Sequence, residues 1–417
     1  MPAGRTRPVR YRPAAASSHR TSPAVMYERE FMLRDLSSTL FASLPRRDQR
    51  HKGEQYLRGL LTARGRRSIR NVAACLGDPT LEQTLHHFIC NSTWEWRPVR
   101  EALACWVGHL IAPRAWVVRQ TPIPKSGSHS VGVGRGFDLH RNQMFHGQQA
   151  FGVWCASPEA AAPVNWRLVL PERRGEGGEG SAPGAPGGRS RGHTGETPEE
   201  CATTAALDFA DLRGAPLLPV VLDLPARDPD AVVRRFAAAG VPVLVRVGPG
   251  ALFTVEEPAP AGFAAGALPA HRILDSVRGR RQRVGAFAPD APAGVRHATA
   301  VKVRVGLPGG TPVPRDAREG ALALLGEWRE PHGTPSGLWL TNMGGVPAAT
   351  LLGLTRLTDR VGRDFAEHGD RAGLRDFEGR SLRGWHCHMT LASAAHALQV
   401  LAAARRGREE GYVPKVS

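Results

Sequence analysis

The chain has 417 residues, enough for two or three domains, and 41% of them are hydrophobic, so a substantial core can form. The formal net charge of +17 favours a polyanionic partner, although a GC-rich genome also enriches arginine. The six cysteines are scattered without a Cys-x-x-Cys pair, and no apolar run could span a bilayer. These features exclude a disulfide framework, a zinc ribbon and a membrane-embedded protein, and we expect a cytoplasmic location.

The first segment, residues 1–26, contains five arginines and no acid, and it lacks the apolar stretch of a secretory signal. We predict a disordered basic arm, which either contacts DNA or results from a wrongly assigned start codon.

Residues 27–112 carry apolar side chains at spacings of three and four, which predicts an all-α domain. Basic residues crowd its turns and suit a DNA-binding module, while a solvated helical bundle without a ligand explains the same pattern equally well. The residues of this region that we predict to contact DNA are Arg46, Arg47, Arg50, Lys52, Arg66 and Arg67.

From residue 113 to residue 417 the pattern alternates between strands and helices and predicts an α/β core. WVVRQT (116–121) and LLPVVLDLP (217–225) are predicted strands, and the second contains Asp223. Residues 173–204 are rich in Gly, Pro, Ser and Glu and are predicted to be a disordered linker. Residues 248–337 are predicted to form a mostly β insertion in this core.

Several segments resemble, in order, the bacterial insertion-sequence transposases of the DDE superfamily. The segments are LFASLPRRDQRHKGEQYLRGLL (40–61), KSGSHSVGVGR (125–135), VVLD (220–223) and FEGRSLRGWHCHMTLASAAHAL (377–398). The resemblance implies an RNase-H-like core, DNA as the partner and metal-dependent cleavage and joining of DNA strands; it leaves a homodimer open.

Enzymes of this superfamily bind two divalent ions of the Mg²⁺ type with three converging acids. The resemblance places the first acid at Arg119 or Gln120, where the family commonly has Asp-Asp before a threonine. The second corresponds to Asp223, which is either a retained ligand or a turn-forming aspartate. Counting back from the EGR motif at 378–380 places the third at Gly362, with Asp359 one turn earlier as the nearest acid.

Two of the three acids are therefore expected to be lost, and Asp223 is the surviving one. We predict that Arg119 forms an ion pair with Asp223 and that a fixed cation replaces the metal. No resident metal or other cofactor is expected; Mg²⁺ would be needed only if activity is retained, with Asp223 as its one remaining ligand.

Further phosphate contacts are predicted at Lys125, Arg380, Arg383 and His386, although a solvated helix start also explains the last three. In the WHCH motif, His386 and His388 diverge by about 200° on a helix and are not expected to share a metal ion. GVGRG (132–136) lacks the Lys-Ser/Thr of a phosphate loop.

The sequence thus predicts a transposase-derived DNA-binding protein that is deficient in metal-dependent strand cleavage and transfer. Two alternatives remain open. One is an active transposase that uses other acids, such as Asp138, Asp208 or Asp211. The other is an enzyme whose altered pocket around Arg119 and Asp223 acts on a small substrate.

Overall fold

The computed structural model describes residues 23–78, 80–170, 196–211, 217–256, 266–285, 297–308, 321–330 and 333–411. Most of the predicted basic arm and residues 173–195 of the predicted linker lie outside these ranges.

The N-terminal region is helical, as the apolar spacing predicts. Its helices are α1 (Pro23–Leu40), α2 (Arg47–Thr62), α3 (Ile69–Cys75), α4 (Leu81–His86) and α5 (Trp96–Ile111), with a π-helical turn (His87–Asn91) before α5. Helix α3 begins where the Ser68 hydroxyl accepts the backbone N–H of Asn71, a bond that satisfies one free donor of the first turn. Leu36, Leu57 and Leu60 are fully buried between these helices.

A mixed sheet forms the centre of the molecule. Its strands are β1 (Ala115–Pro124), β2 (Val133–Asp138), β3 (Gln143–Ala156), β4 (Ala161–Leu168), β5 (Val220–Ala226), β6 (Val243–Val247), β7 (Leu252–Val255), β8 (Leu268–Pro269), β9 (Gln282–Gly285), β10 (His297–Gly306), β11 (Ala323–Trp328) and β12 (Gly337–Thr341). The strand order is β2-β3-β1-β5-β6-β12-β11-β10-β7-β8, while β4 pairs with β3 and β9 with β10.

Strand β1 has two different neighbours. It runs antiparallel to β3 and parallel to β5, and β5 is in turn parallel to β6. In the register of β1 and β5, Arg119 lies opposite Asp223. The two strand residues that the sequence singles out are therefore cross-strand neighbours.

Helices cover both faces of this part of the sheet. The remaining helices are α6 (Pro198–Ala210), α7 (Pro229–Ala238), α8 (Ala270–Ser276), α9 (Ala348–Thr355), α10 (Leu357–Ala372) and α11 (Leu382–Gly411). On β4, Trp166 donates a hydrogen bond to Ser393 of α11, whereas Arg167 pairs with Asp208 of α6. Because successive strand side chains point to opposite faces, α11 and α6 lie on opposite sides of the sheet.

Helix α10 packs on β1, β3 and β4, on the same side as α11. Gly373, with φ of +85°, follows its last residue and ends the helix in the left-handed conformation that glycine adopts without strain. The apolar period predicts one continuous helix over residues 348–369, but the structure has two, α9 and α10, which meet at Arg356.

Two predicted boundaries differ in the structure. Helix α6 begins at Pro198, inside residues 173–204, which the sequence predicts to be a disordered linker. The helix begins there because Thr197 and Glu200 form a capping box. The Gly-, Pro- and Glu-rich composition of the stretch conceals this signal. Strands β10 and β11 lie within the predicted β insertion, yet they continue the main sheet through β12. None of the described helices combines the length and apolar character that a bilayer span requires.

Candidate functional site

An ion pair joins the centres of β1 and β5. Arg119 Nη1 lies 2.9 Å from Asp223 Oδ2 and donates a hydrogen bond to it. The Asp223 side chain is 3% exposed and that of Arg119 is 18% exposed, so little water reaches the contact. The ion pair that the sequence predicts is confirmed.

A second guanidinium approaches the same carboxylate. Arg246 on β6 has its Nε 3.6 Å from Asp223 Oδ1, and its guanidinium lies over the ring of Trp339, 5.1 Å from the ring centroid. Burial lowers the pKa of Arg119 and the charge of Asp223 opposes that shift, but a guanidinium stays protonated at neutral pH. One carboxylate thus faces two cations.

Gly362 of α10 faces the Arg119 guanidinium. A Cβ atom at position 362 would lie 3.6 Å from both Nη1 and Nη2 of Arg119, which is ordinary van der Waals contact. Arg119 Nη1 also donates a long hydrogen bond of 3.5 Å to the carbonyl of Thr358 on the same helix. Arg119, Asp223 and Gly362, although distant in sequence, therefore meet at one place.

Gln120 has a different environment. Its Nε2 donates to the carbonyl of Phe137 at 2.7 Å, and its Oε1 accepts the N–H of Leu139 at 2.9 Å. Because alternate side chains on a strand point to opposite faces, Arg119 is the residue of the two that faces Asp223. Gln120 instead fastens the hairpin of β2 and β3 to β1.

The nearest other acids have partners of their own. Asp359 forms an exposed ion pair with Arg329 at 3.0 Å. Asp364 is fully buried on α10, where it pairs with Arg360 and accepts the N–H of Ala161 at 2.7 Å. Both carboxylates are thus engaged in ion pairs of their own, although the charge of Asp359 still acts on Arg119.

Of the acids of the active-enzyme alternative, Asp138 lies close enough to the pair for its charge to act on Arg119, but its carboxylate is held in a turn. Asp138 Oδ1 accepts two backbone N–H groups in the turn between β2 and β3. Asp208 pairs with Arg167 at 3.4 Å on the α6 side of the sheet, and Asp211 directly follows the last residue of α6. In the part of the chain that the structure describes, no three His, Cys, Asp or Glu side chains form a group that could hold a metal ion.

The basic residues at the start of α2 are close together and largely exposed. Arg46 forms two hydrogen bonds of 2.9 Å with Asp48, and Lys52 lies 3.5 Å from the same carboxylate. Arg50 donates to a backbone carbonyl in the preceding turn, and Arg47 is exposed. Their predicted role in binding DNA remains a prediction.

Arg66, Arg67 and Lys125 meet elsewhere, in an open cleft of about 720 Å³ between the loop after α2, the loop after β1 and the end of α10. Arg66 pairs with Glu378 at 2.6 Å. Lys125 Nζ donates to two backbone carbonyls that follow α10, and burial lowers its pKa to about 8. Neither residue of the Arg119–Asp223 pair lines this cleft.

The start of α11 is largely occupied by internal contacts. The guanidinium of Arg383 donates to the carbonyls of Ser92 and Trp94. His386 stacks on Trp96 with ring centroids 4.8 Å apart, and burial lowers its pKa to about 2, so it is neutral at physiological pH. These contacts favour a packing role for both residues, whereas Arg380 is exposed and available.

His388 has different partners from His386, as the helical spacing predicts. Its Nδ1 lies 2.8 Å from the hydroxyl of Tyr56 on α2, and its Nε2 lies 2.8 Å from the carbonyl of Gly373. With the imidazole neutral, Nε2–H donates to the carbonyl and Nδ1 accepts from the hydroxyl. The histidine thus ties the N-terminal helices to the end of α10.

Sequence reasoning missed two charged residues: Arg246, whose side chain is 36% exposed, and Arg100, which is buried. Arg246 could have been noticed, because it is the only polar residue in the apolar strand VLVRV. Arg100 is buried on α5, where it donates to Thr390 at 2.8 Å and to Asn165 at 3.0 Å. Arg100 could also have been noticed, because it lies three and seven residues before Leu103 and Val107 on the apolar face of α5.

The chain matches the profile of a protein family described as DDE superfamily endonuclease over residues 39–303, more than half of its length. The matched range includes α2 to α5 and strands β1 to β9. No curated protein matches the chain. The predicted resemblance to DDE-superfamily transposases is confirmed, and the chain belongs to the DDE superfamily of endonucleases.

Proposed function

We propose that this protein is a transposase-derived DNA-binding protein, with an RNase-H-like core, that has lost metal-dependent strand cleavage and transfer. The strand arrangement supports such a core. Strand β3 lies between β4 and β1 and is antiparallel to both, and β5 and β6 continue the sheet in parallel with β1. If the β2 hairpin is set aside, Asp223 lies on the fourth strand, where the resemblance expects the second acid.

The observation that carries the proposal is the contact of Arg119 with Asp223 opposite Gly362. Two-metal centres need several carboxylate oxygens, because Mg²⁺ is a hard cation that binds oxygen ligands. Here a single carboxylate is paired with one guanidinium at 2.9 Å and lies 3.6 Å from another. Guanidinium groups neither lose a proton nor coordinate a cation, so these residues do not fit a pair of divalent ions.

DNA binding is supported by membership of the family and by charge. The net charge of +17 draws a polyanion to the surface whatever the state of the pocket. Arg47 and Arg380 are among the exposed cationic side chains of the described structure. Phosphate contacts of this kind need no metal and would survive the loss of catalysis.

The test compares binding and cleavage by the full-length chain. We expect the logarithm of the DNA association constant to fall linearly with the logarithm of salt concentration, by about 0.9 per phosphate contact. We also expect supercoiled plasmid to remain intact with Mg²⁺ or Mn²⁺. The proposal fails if the protein nicks the plasmid and Asp223→Asn removes that activity, or if its DNA affinity does not depend on salt.

A rebuilt site gives the complementary experiment. In the Arg119→Asp/Gly362→Glu variant, carboxylates would occupy both positions beside Asp223. We expect Mn²⁺ to raise the melting temperature of this variant, because binding to the folded state alone stabilises it. The wild type and an Arg70→Asp control, altered at an exposed position on α3, should not respond. An equal response of the wild type would show that its pocket still holds a metal.

A further inference from the structure

The β2–β3 hairpin has an exposed face that the family assignment does not explain. Phe137 lies opposite Met144 in its register, and Arg135 lies opposite His146. The exposed fractions of Phe137 and Met144 are 39% and 61%. Residues directly opposite each other in an antiparallel pair share a face, as do alternate residues of one strand, so these four side chains form one outward surface.

This outer face is basic. Between residues 131 and 149 the only acid is Asp138, which is 6% exposed and accepts the N–H groups of His140 and Arg141. Within the described part of the chain, neither Arg135 nor Arg141 pairs with a carboxylate. The apolar pair Phe137 and Met144 thus lies near two arginines, Arg135 and Arg141, that have no carboxylate partner among the described residues.

The hairpin is held rigidly beside the Arg119–Asp223 pair. Both hydrogen bonds of the Gln120 amide go to its end, at Phe137 and Leu139. Asn142, with φ of +53°, forms the tight turn that follows. The pKa of His140 is lowered by desolvation first and by the charge of Arg119 next, which is consistent with a turn that lies against the pocket.

We propose that the outer face of the β2–β3 hairpin binds DNA with an unpaired base next to the degenerate pocket, with Phe137 and Met144 against the base and Arg135 and Arg141 against flanking phosphates. Aromatic side chains bind unpaired bases of any sequence by stacking, and arginines supply the charge that the backbone requires. A fully paired duplex keeps its bases stacked inside the helix, so it exposes much less base surface to Phe137 and Met144. The inference rests on the proposed DNA-binding function.

The experiment measures fluorescence anisotropy of the full chain with two probes at fixed salt: a 30-base-pair duplex, and the same duplex with a five-nucleotide single-stranded tail. The Phe137→Ala/Met144→Ala variant should bind the tailed probe about tenfold more weakly and the plain duplex within twofold of the wild type. Leu252→Ala removes an exposed apolar side chain from β7 and should change neither affinity. Phe137→Trp keeps a stacking ring and should retain tailed-probe binding, and duplex binding by the double variant shows that this variant is folded.

The proposed phosphate contact of Arg135 is tested separately. Arg135→Gln should reduce the slope of log affinity against log salt by about one, whereas Arg272→Gln, at an exposed position on α8, should leave it unchanged. If the wild type binds both probes and the Phe137 and Met144 variants bind them equally well, the hairpin inference is overturned while the proposed function stands. If the wild type shows no salt-dependent DNA binding, both are overturned.

Discussion

Removing the positive charge of Arg119 should destabilise the protein through Asp223. Arg119→Met keeps an unbranched side chain of similar reach but leaves the carboxylate, which is 3% exposed, without its 2.9 Å partner. With an effective dielectric constant of about 20, the attraction at that distance is roughly 6 kcal/mol before desolvation is subtracted. Breaking a buried pair on one side costs about 3–5 kcal/mol, because the remaining charge is left buried and uncompensated.

Arg246 reduces the loss of stability that follows from removing the Arg119 charge. Its Nε is 3.6 Å from the other oxygen of Asp223 and remains there in the variant. We therefore expect Arg119→Met to lower the free energy of unfolding by about 2–3 kcal/mol, below the range for a fully isolated charge. Arg119→Met/Asp223→Leu should recover at least half of the loss, since no carboxylate then remains buried in the pair.

Urea denaturation followed by tryptophan fluorescence measures these differences as shifts of the midpoint. Arg46→Met is the matched control, because Arg46 also pairs at 2.9 Å, with Asp48, but the two side chains are 69% and 43% exposed. An exposed pair of this kind contributes little, so its midpoint should stay close to that of the wild type. Equal midpoints for Arg119→Met and Arg46→Met would refute the idea that Arg119 neutralises a buried carboxylate.

Three further predictions concern the surroundings of the pair. Gln120→Leu removes both the donor to Phe137 O and the acceptor of the Leu139 N–H, so we expect about 2 kcal/mol lower stability and faster hydrogen exchange at the Leu139 amide; unchanged exchange would contradict this. Burial lowers the pKa of His388 from 6.5 to about 4, so the unfolded chain takes up the proton first and stability should fall as the pH drops from about 6.5 to 4. His388→Gln should make the urea midpoint depend less steeply on pH over that range, although part of the slope remains because burial also lowers the pKa of His386 and His396. An equally steep fall in the variant would assign the whole dependence to other groups. Arg383→Ala should lower the melting temperature without changing the salt dependence of DNA binding, whereas Arg380→Ala should do the reverse.

The two strands of the site could be predicted from the sequence, because each is a short apolar segment that contains one charged residue, Arg119 or Asp223. The strand over 116–121 and the strand that contains Asp223 both appear where the pattern places them, and the ion pair follows from their register. Gly362 was located by counting along the chain, and α10 brings it against Arg119. These features depend on local periodicity and on the order of motifs, both of which are visible without a structure.

The hairpin and the helix start could not be predicted in the same way. Strand β2 contains two glycines in its six residues, and its alternation is too weak to distinguish it from a loop. Arg383 and His386 look like an exposed basic patch in the sequence, but their partners Ser92 and Trp96 are almost 300 residues earlier. Such contacts are decided by tertiary packing, on which local spacing carries no information.

The residues at positions 119 and 362 are physically coupled, and this coupling makes a simple return to metal binding difficult. Without a metal, Asp223 would be a buried carboxylate beside any acid at position 119, and two such charges repel each other strongly in a dry environment. Arg119 removes that problem, and its Nη1 also donates a long hydrogen bond of 3.5 Å to the carbonyl of Thr358 on α10. Arg119→Asp alone should therefore be less stable than the wild type in the absence of divalent ions, and Gly362→Glu alone should place its carboxylate against Arg119 as a further ion-pair partner. Only the combined change offers three carboxylates to a metal, so Mn²⁺ should stabilise the double variant more than the sum of its effects on the two single variants.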